Sequence, residues 1–249
     1  MRNADRSPDA LAWRIEEELR GLGDPQRAAN EQRYLRSDLT FLGTGVPAVR
    51  SVAKGVWREH PMARAQLHAV VEDLWARRIH ECRMAAVELL VAGRDVLLAE
   101  DIVLVEQLVR AADTWALVDP LAIAVAGSLV ERFAELGAVL DRWAGEDDFW
   151  VRRSALLALL GGLRRGDGDL PRFLGYADAM LDEREFFIRK AIGWVLRETG
   201  RKRPAQVRAW LAPRTHRASG VTLREAVKYL PPADAAVLMD AYRRGVAGG

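Results

Sequence analysis

Two groups of side chains carry the types and spacing for chemistry. On a helical wheel, Ile188, Ala191, Ile192, Val195 and Leu196 gather on one side as a core stripe, while Lys190, Trp194, Arg197 and Arg201 fall in a narrow arc opposite. An aromatic ring set among cations can stack on a base or sugar while its neighbours meet phosphates, a contact worth roughly 1–3 kcal/mol per base. The structural alternative is that Arg197 or Lys190 covers Trp194 as a cation–π pair. In the second group Trp115 and Asp119 lie four residues apart, so in a helix they share a face whose next positions, Ala122 and Ala126, are small. A carboxylate and an indole would then meet above a shallow floor. Pro120 offers another local structure, in which Asp119 is an N-cap and Pro120 the first residue of a new helix.

The elements that must position these residues are helices. Nearly every segment places apolar residues at i, i+3, i+4 and i+7, and no period-2 run of β-branched residues competes. The pattern predicts helices from 8–22 through 233–244, including 115–127, 128–143, 149–161, 185–199 and 222–230, with Gly-rich turns such as Gly21-Leu22-Gly23-Asp24-Pro25 between them. Three segments are self-similar: Phe149 to Leu156, Phe186 to Gly193, and Thr222 to Val227. Aligning Arg152, Arg189 and Arg224 gives offsets of 37 and 35 residues, near the ~40 of two-helix repeats. The expected architecture is an all-α solenoid of helical repeats with those basic residues along one concave wall. Such a wall suits a rod-like polyanion, and a protein-binding scaffold is the alternative.

Composition and charge narrow the partners. Half of the 249 residues are hydrophobic and 29% charged, which excludes a disordered or collagen-like chain. The whole chain carries only +2. Between Arg184 and Lys228, however, twelve basic residues face Glu185, Glu198 and Glu225, so that segment holds +9 against −7 for the remainder. The asymmetry is the electrostatic footprint expected of a nucleic-acid surface, although a solvated helical face has the same signature. Cys82 is the single cysteine, and His60, His68, His80 and His216 stand apart, so neither a disulfide nor a metal site is expected. Walker and dinucleotide-binding glycine patterns are missing, so no cofactor is expected. The N-terminal segment has no apolar signal core and no long uncharged apolar run follows, which points to a cytoplasmic protein without a membrane span. Trp13, Trp57, Trp75, Trp143 and Trp210 are expected in the core. Gly43-Thr44-Gly45 before Pro47 could let a helix N-terminus receive a phosphate, although an ordinary turn has the same composition. Arg201-Lys202-Arg203 reads as a solvated helix end.

The run Glu185-Phe186-Phe187-Ile188-Arg189-Lys190-Ala191-Ile192-Gly193-Trp194-Val195-Leu196-Arg197-Glu198 closely resembles the signature of AlkD-like DNA alkylation repair glycosylases. Supporting matches are Phe41-Leu42-Gly43 with Pro47 and Arg50, Asp73-Leu74-Trp75, Trp115 with Val118-Asp119, Trp150 with Arg153, and Arg224-Glu225-Ala226 with Lys228. The similarity extends from about Tyr34 to Tyr229. The resemblance implies one domain of HEAT-like repeats over residues 1–249, a monomer that cradles duplex DNA on a concave basic surface. It also implies hydrolysis of the N-glycosidic bond of cationic N3- or N7-alkylated purines, acting without a base pocket or base flipping. Trp115, Asp119 and Trp194 match the catalytic trio and Arg153 the phosphate-contacting arginine; Lys190, Arg197, Trp150, Arg224 and Lys228 complete the expected DNA contacts. Thr114, Ala116 and Pro120 depart from the better-known members, which bears on lesion preference and on the helix carrying Asp119. A non-catalytic helical-repeat protein that holds damaged or branched DNA is the competing function.

Overall fold

The computed structural model describes residues 7–247, so both ends of the predicted 1–249 domain lie outside them. The described residues form helices and turns, with a lone parallel bridge between Thr40 and Ile79 and no strand. The fold is all-α, as the periodicity predicts. The chain clusters into two compact units, one of residues 1–104 with 111–121 and one of residues 105–110 with 122–249.

In the first unit, α1 (Pro8–Gly21), α3 (Val46–Glu59), α4 (Arg64–Ala76) and α5 (His80–Ala92) pack on one another, with α2 (Pro25–Leu35) preceding α3 and α7 (Trp115–Pro120) against α5. Their contact faces are aliphatic: Leu11, Ile15 and Leu19 of α1, Leu67 and Leu74 of α4, and Leu89 of α5 are fully buried. Helix α6 (Ile102–Arg110) starts in this unit and ends in the other. The second unit holds α8 (Gly127–Arg132), α9 (Gly137–Ala144), α10 (Phe149–Ala158), α11 (Leu160–Arg165), α12 (Leu170–Ala179), α13 (Phe186–Gly200), α14 (Pro204–Leu211), α15 (Gly220–Ala226) and α16 (Pro232–Ala247). Helix α13 is its centre, packed by α10, α11, α14 and α15.

Several helix starts share one device. An acid or hydroxyl at the N-cap accepts an orphan amide: Asp24 from Arg27, Asp148 from Trp150, Asp169 from Arg172, Glu185 from Phe187 and Ser219 from Thr222. The ~35-residue spacing also recurs in ion pairs between segments about one repeat apart. Arg64 pairs with Asp101, Glu106 with Arg142, Asp182 with Arg217 and Lys190 with Glu225, 37, 36, 35 and 35 residues apart.

Three expectations about elements change. The predicted helix 128–143 breaks at Phe133, whose extended backbone (φ −127°, ψ 92°) is followed by a 3-10 turn before α9. The predicted helix 149–161 ends at Leu159, and α11, which the periodicity missed, follows at once and closes on Gly166 at φ +99°. Glycines at 161 and 162 hid its pattern. Trp75, Trp143 and Trp210 are buried as expected and Trp57 is half-buried, but Trp13 is 59% exposed, because it lies on the solvent side of α1.

Glu106 shows how the repeats bear on pH. Hydrogen bonds from Arg142 outweigh the upward push of burial, and Arg110 and the Trp143 indole N–H add to them, so its carboxyl is lowered from 4.5 to about 2. A depressed carboxyl contributes stability that is complete above about pH 4.5 and lost as pH falls towards 2. Glu106→Gln is expected to melt below the wild type at pH 7, with the gap closing near pH 2; thermal melts across that range check this.

Candidate functional site

In the first unit the candidate residues sit on α7. Thr114 caps it, its Oγ1 accepting the Ala116 amide at 3.4 Å, after Asp113 turns the chain through φ +54°. Asp119 is therefore not an N-cap, and Pro120 does not start a helix: both are inside α7, and the chain winds on through six residues in the wider π register, Leu121–Ala126. Proline in a helix interior removes an i→i−4 bond and crowds the carbonyl four residues back, which accounts for the widened turn. Trp115 and Asp119 remain on one α-helical turn, as the i, i+4 spacing requires. Trp115 is half-buried, with Tyr34 edge-on at 6.2 Å and 89°. Asp119 is 9% exposed.

Trp115, Ala116 and Pro120 border a cavity of about 260 Å³, which Tyr34 and Met84 also line and which reaches His80. His80 is 3% exposed, stacks on Phe41 at 4.6 Å, and its Nδ1 meets no hydrogen-bond partner. Burial, with Arg83 nearby, lowers its pKa to about 4, so the ring is neutral at pH 7. The Phe41-Leu42-Gly43 motif has its own explanation. The Glu81 carboxylate, fully buried, accepts the amides of Leu42, Gly43 and Thr44 at 3.0, 2.6 and 3.2 Å, and Gly43 turns at φ +79°. Within the Gly43-Thr44-Gly45 turn that the sequence places before a possible phosphate site, the Gly43 and Thr44 amides are thus engaged by an internal carboxylate.

In the second unit α13 carries the cationic arc. Lys190 and Arg197 both donate to Glu225 of α15, at 2.7 and 2.6 Å, and Lys228 joins them at 2.7 Å. Burial alone would raise the Glu225 carboxyl, yet Lys190 and Lys228 bring it down to about 2. Arg197, Arg201 and Arg164 also pair with Glu198, so five cations share two carboxylates and a surplus of positive charge remains on this face of α13, which carries the half-buried Trp194. The cation–π alternative for Trp194 is not realised: the guanidiniums of Arg201 and Arg197 lie 3.6 and 5.9 Å from the ring of Tyr229 instead. Gly193 explains the Ile-Gly-Trp signature, because a Cβ there would stand 2.7 Å from the Thr222 carbonyl oxygen where α15 crosses.

The remaining expected DNA contacts divide. Arg224 is exposed. Trp150 is 9% exposed in a cluster with Phe149 and Phe187, at 4.4 and 4.8 Å. Arg153 is 3% exposed and donates to the Phe187 carbonyl, bracing α10 against α13. The expected basic row of Arg152, Arg189 and Arg224 is not one of free cations: Arg152 binds the Glu183 carboxylate and Arg189 the Glu183 carbonyl. Nor is Arg201-Lys202-Arg203 simply solvated, since Arg203 donates to the carbonyls of Gly166 and Gly168. The roles of Glu225 and Tyr229 were hidden because Lys190, Arg197 and Arg201, on and just past α13, lie 28 to 35 residues earlier in the chain.

Glu225 therefore restrains the cations a polyanion would meet. Glu225→Gln should free them and tighten duplex DNA binding, with log K against log salt steepening by about 0.9 for each added phosphate contact. Titrations at three salt concentrations check this; an unchanged slope would count against the cluster as a phosphate surface.

The site is thus a face of α13 and α15 on which Trp194 and Tyr229 lie among lysines and arginines. The model of the DNA alkylation repair enzyme family matches residues 15–230, and the chain belongs to that family. A protein of Enterococcus faecalis described as a predicted DNA alkylation repair enzyme superposes with TM-score 0.77 at 25% identity, covering 84% of this chain and 97% of that one. AlkD2 from Streptococcus mutans superposes with TM-score 0.64 at 14% identity, covering 90% and 99% respectively. A search of curated protein sequences finds no significant match.

Proposed function

We propose that this protein is a monofunctional DNA glycosylase, a monomer that hydrolyses the N-glycosidic bond of cationic N3- or N7-alkylated purines in duplex DNA without flipping the base. Membership of the DNA alkylation repair family supports the substrate class. The observation that carries the chemistry is α7, whose single turn holds a half-buried indole, Trp115, and a buried carboxylate, Asp119.

An alkylated purine already carries positive charge and leaves readily, so no strong general acid is needed. The difficulty lies in the sugar, which becomes oxocarbenium-like as the bond breaks. Asp119 is assigned to stabilise that cation and to orient the attacking water. The face of Trp115 is assigned to the deoxyribose, where an electron-rich ring favours positive charge, and Trp194 on α13 to the DNA met by the cations of its own unit. Lys190, Arg197, Arg224 and Lys228 are assigned to phosphates. Trp150 and Arg153 are assigned to hold the α10–α13 seam from which those contacts project. Recognition through lesion charge and weakened stacking makes sequence specificity low.

Incubation of the protein with methylated duplex DNA tests this reading. Chromatography should reveal free 3-methyladenine or 7-methylguanine. Salt-sensitive binding with no freed base from any adduct would favour the non-catalytic DNA-binding alternative.

A further inference from the structure

The Asp73-Leu74-Trp75 run lies in the last turn of α4, where helical carbonyls have no amide of their own helix to meet. Asp73 accepts from Arg77 at 2.9 Å and Leu74 is core. Trp75 has a different partner, Arg83 of α5. The Arg83 Nε donates to the Trp75 carbonyl oxygen at 3.1 Å, and its guanidinium lies 5.0 Å from the centre of the Trp75 ring. The same guanidinium reaches, through a terminal nitrogen, the Ala111 carbonyl oxygen at 2.8 Å. Arg83 is 6% exposed, and among the described residues both of its hydrogen bonds end on carbonyls rather than on a carboxylate.

A buried cation without a carboxylate is costly, and an apolar side chain of similar volume is often the more stabilising occupant of such a place. Burial and then Arg78 lower the Arg83 pKa, while Asp113, two residues past Ala111, works the other way. What arginine supplies and an apolar residue does not is a rigid fork of N–H groups, which fixes two acceptors in distance and direction at once. One of those acceptors belongs to the segment that carries the site. The chain re-enters the first unit at Ala111, turns at Asp113 with φ +54°, and starts α7 at the Thr114 cap. Helix α7 has six residues, well short of the ~12–15 at which an isolated helix becomes even marginally stable, and Pro120 takes away one of its bonds. Its placement must therefore come from contacts outside it.

We infer that Arg83 is a positioning residue for the site on α7: by joining the end of α4 to the Ala111 turn, it fixes how Trp115 and Asp119 are presented. Arg83 acts through the main chain and not on the DNA. The inference rests on the glycosylase reading for what that placement serves.

Two measurements on the full-length protein test it, with Arg83→Met, which keeps an apolar stem and no donor, and Arg83→Lys, whose single ammonium cannot hold both carbonyls. Hydrogen exchange followed by mass spectrometry should show the amides of residues 112–119 exchanging at least about tenfold faster in Arg83→Met, with α1, α3 and α13 as protected as in the wild type. Single-turnover release of 7-methylguanine from a duplex carrying one N7-methyldeoxyguanosine should slow at least about tenfold, because small misplacements of reacting groups are expensive, while affinity for that duplex stays within about twofold. Arg83→Lys should fall between Arg83→Met and the wild type in both measurements, and it is read in place of Arg83→Met if circular dichroism shows that variant to be unfolded. Protection of residues 112–119 that does not change, protection lost equally throughout the first unit, or local loosening with base release as fast as in the wild type would each overturn the inference. The exchange measurement needs no turnover, so local loosening in a protein whose wild type releases no base would reject the glycosylase reading and leave Arg83 as the residue that places α7.

Discussion

Asp119→Asn is expected to slow base release about a thousandfold while leaving duplex affinity within a few-fold of the wild type. The size follows from the charge: a unit pair at about 4 Å is worth ~4 kcal/mol at an effective dielectric near 20, and each ~1.36 kcal/mol is tenfold in rate. Asparagine keeps the shape and the helix position, so the change isolates charge. The residue is 9% exposed and its helix is capped by Thr114, so its backbone should stay in place. Single-turnover release of 7-methylguanine, measured beside equilibrium binding, checks both halves. Equal rates in the two proteins would reject the assignment.

The second large effect concerns the frame of the site. Glu81→Ala should lower stability by about 3 kcal/mol or more, because it strands three amides and each buried unsatisfied group costs ~1–3 kcal/mol. Gly43→Ala should be comparably harmful, since φ +79° is strained for any side chain and a Cβ would collide with the Asp24 carbonyl. In a chain of this length ~3 kcal/mol corresponds to a melting temperature lower by about 6–12 °C. Thermal denaturation monitored at 222 nm checks this. Glu81→Gln, which keeps one acceptor oxygen, should fall between.

Much of this was legible in the sequence because helical periodicity is a local signal. The α13 stripe, the Asp-Pro turn before α2 and the ~35-residue repeat all depend on neighbours within a few residues, or on similarity between segments. Even Trp194 off the core face follows from wheel geometry. What the sequence concealed depends on partners a repeat apart. Arg152 and Arg153 read as free cations, yet one binds Glu183 and the other the Phe187 carbonyl, 31 and 34 residues away. Glu225 read as a neighbour of Arg224, yet it gathers Lys190, Arg197 and Lys228. Pro120 left the α7 question open because a proline can either start a helix or sit inside one; the Thr114 cap upstream decides for the interior position. His80 and Tyr34 carried no signal, since a lone histidine and an exposed tyrosine have ordinary counterparts in any helical protein.

The central claim is that a cationic base departs while a carboxylate steadies the sugar left behind. The most direct measurement is a single turnover of the wild type on a duplex carrying one N7-methyldeoxyguanosine, with an otherwise identical duplex carrying guanine. The account predicts free 7-methylguanine and an abasic site in equal amounts from the first, with the strand uncut, and nothing from the second. Tight binding to both duplexes with no freed base, or equal release from the uncharged guanine, would contradict it.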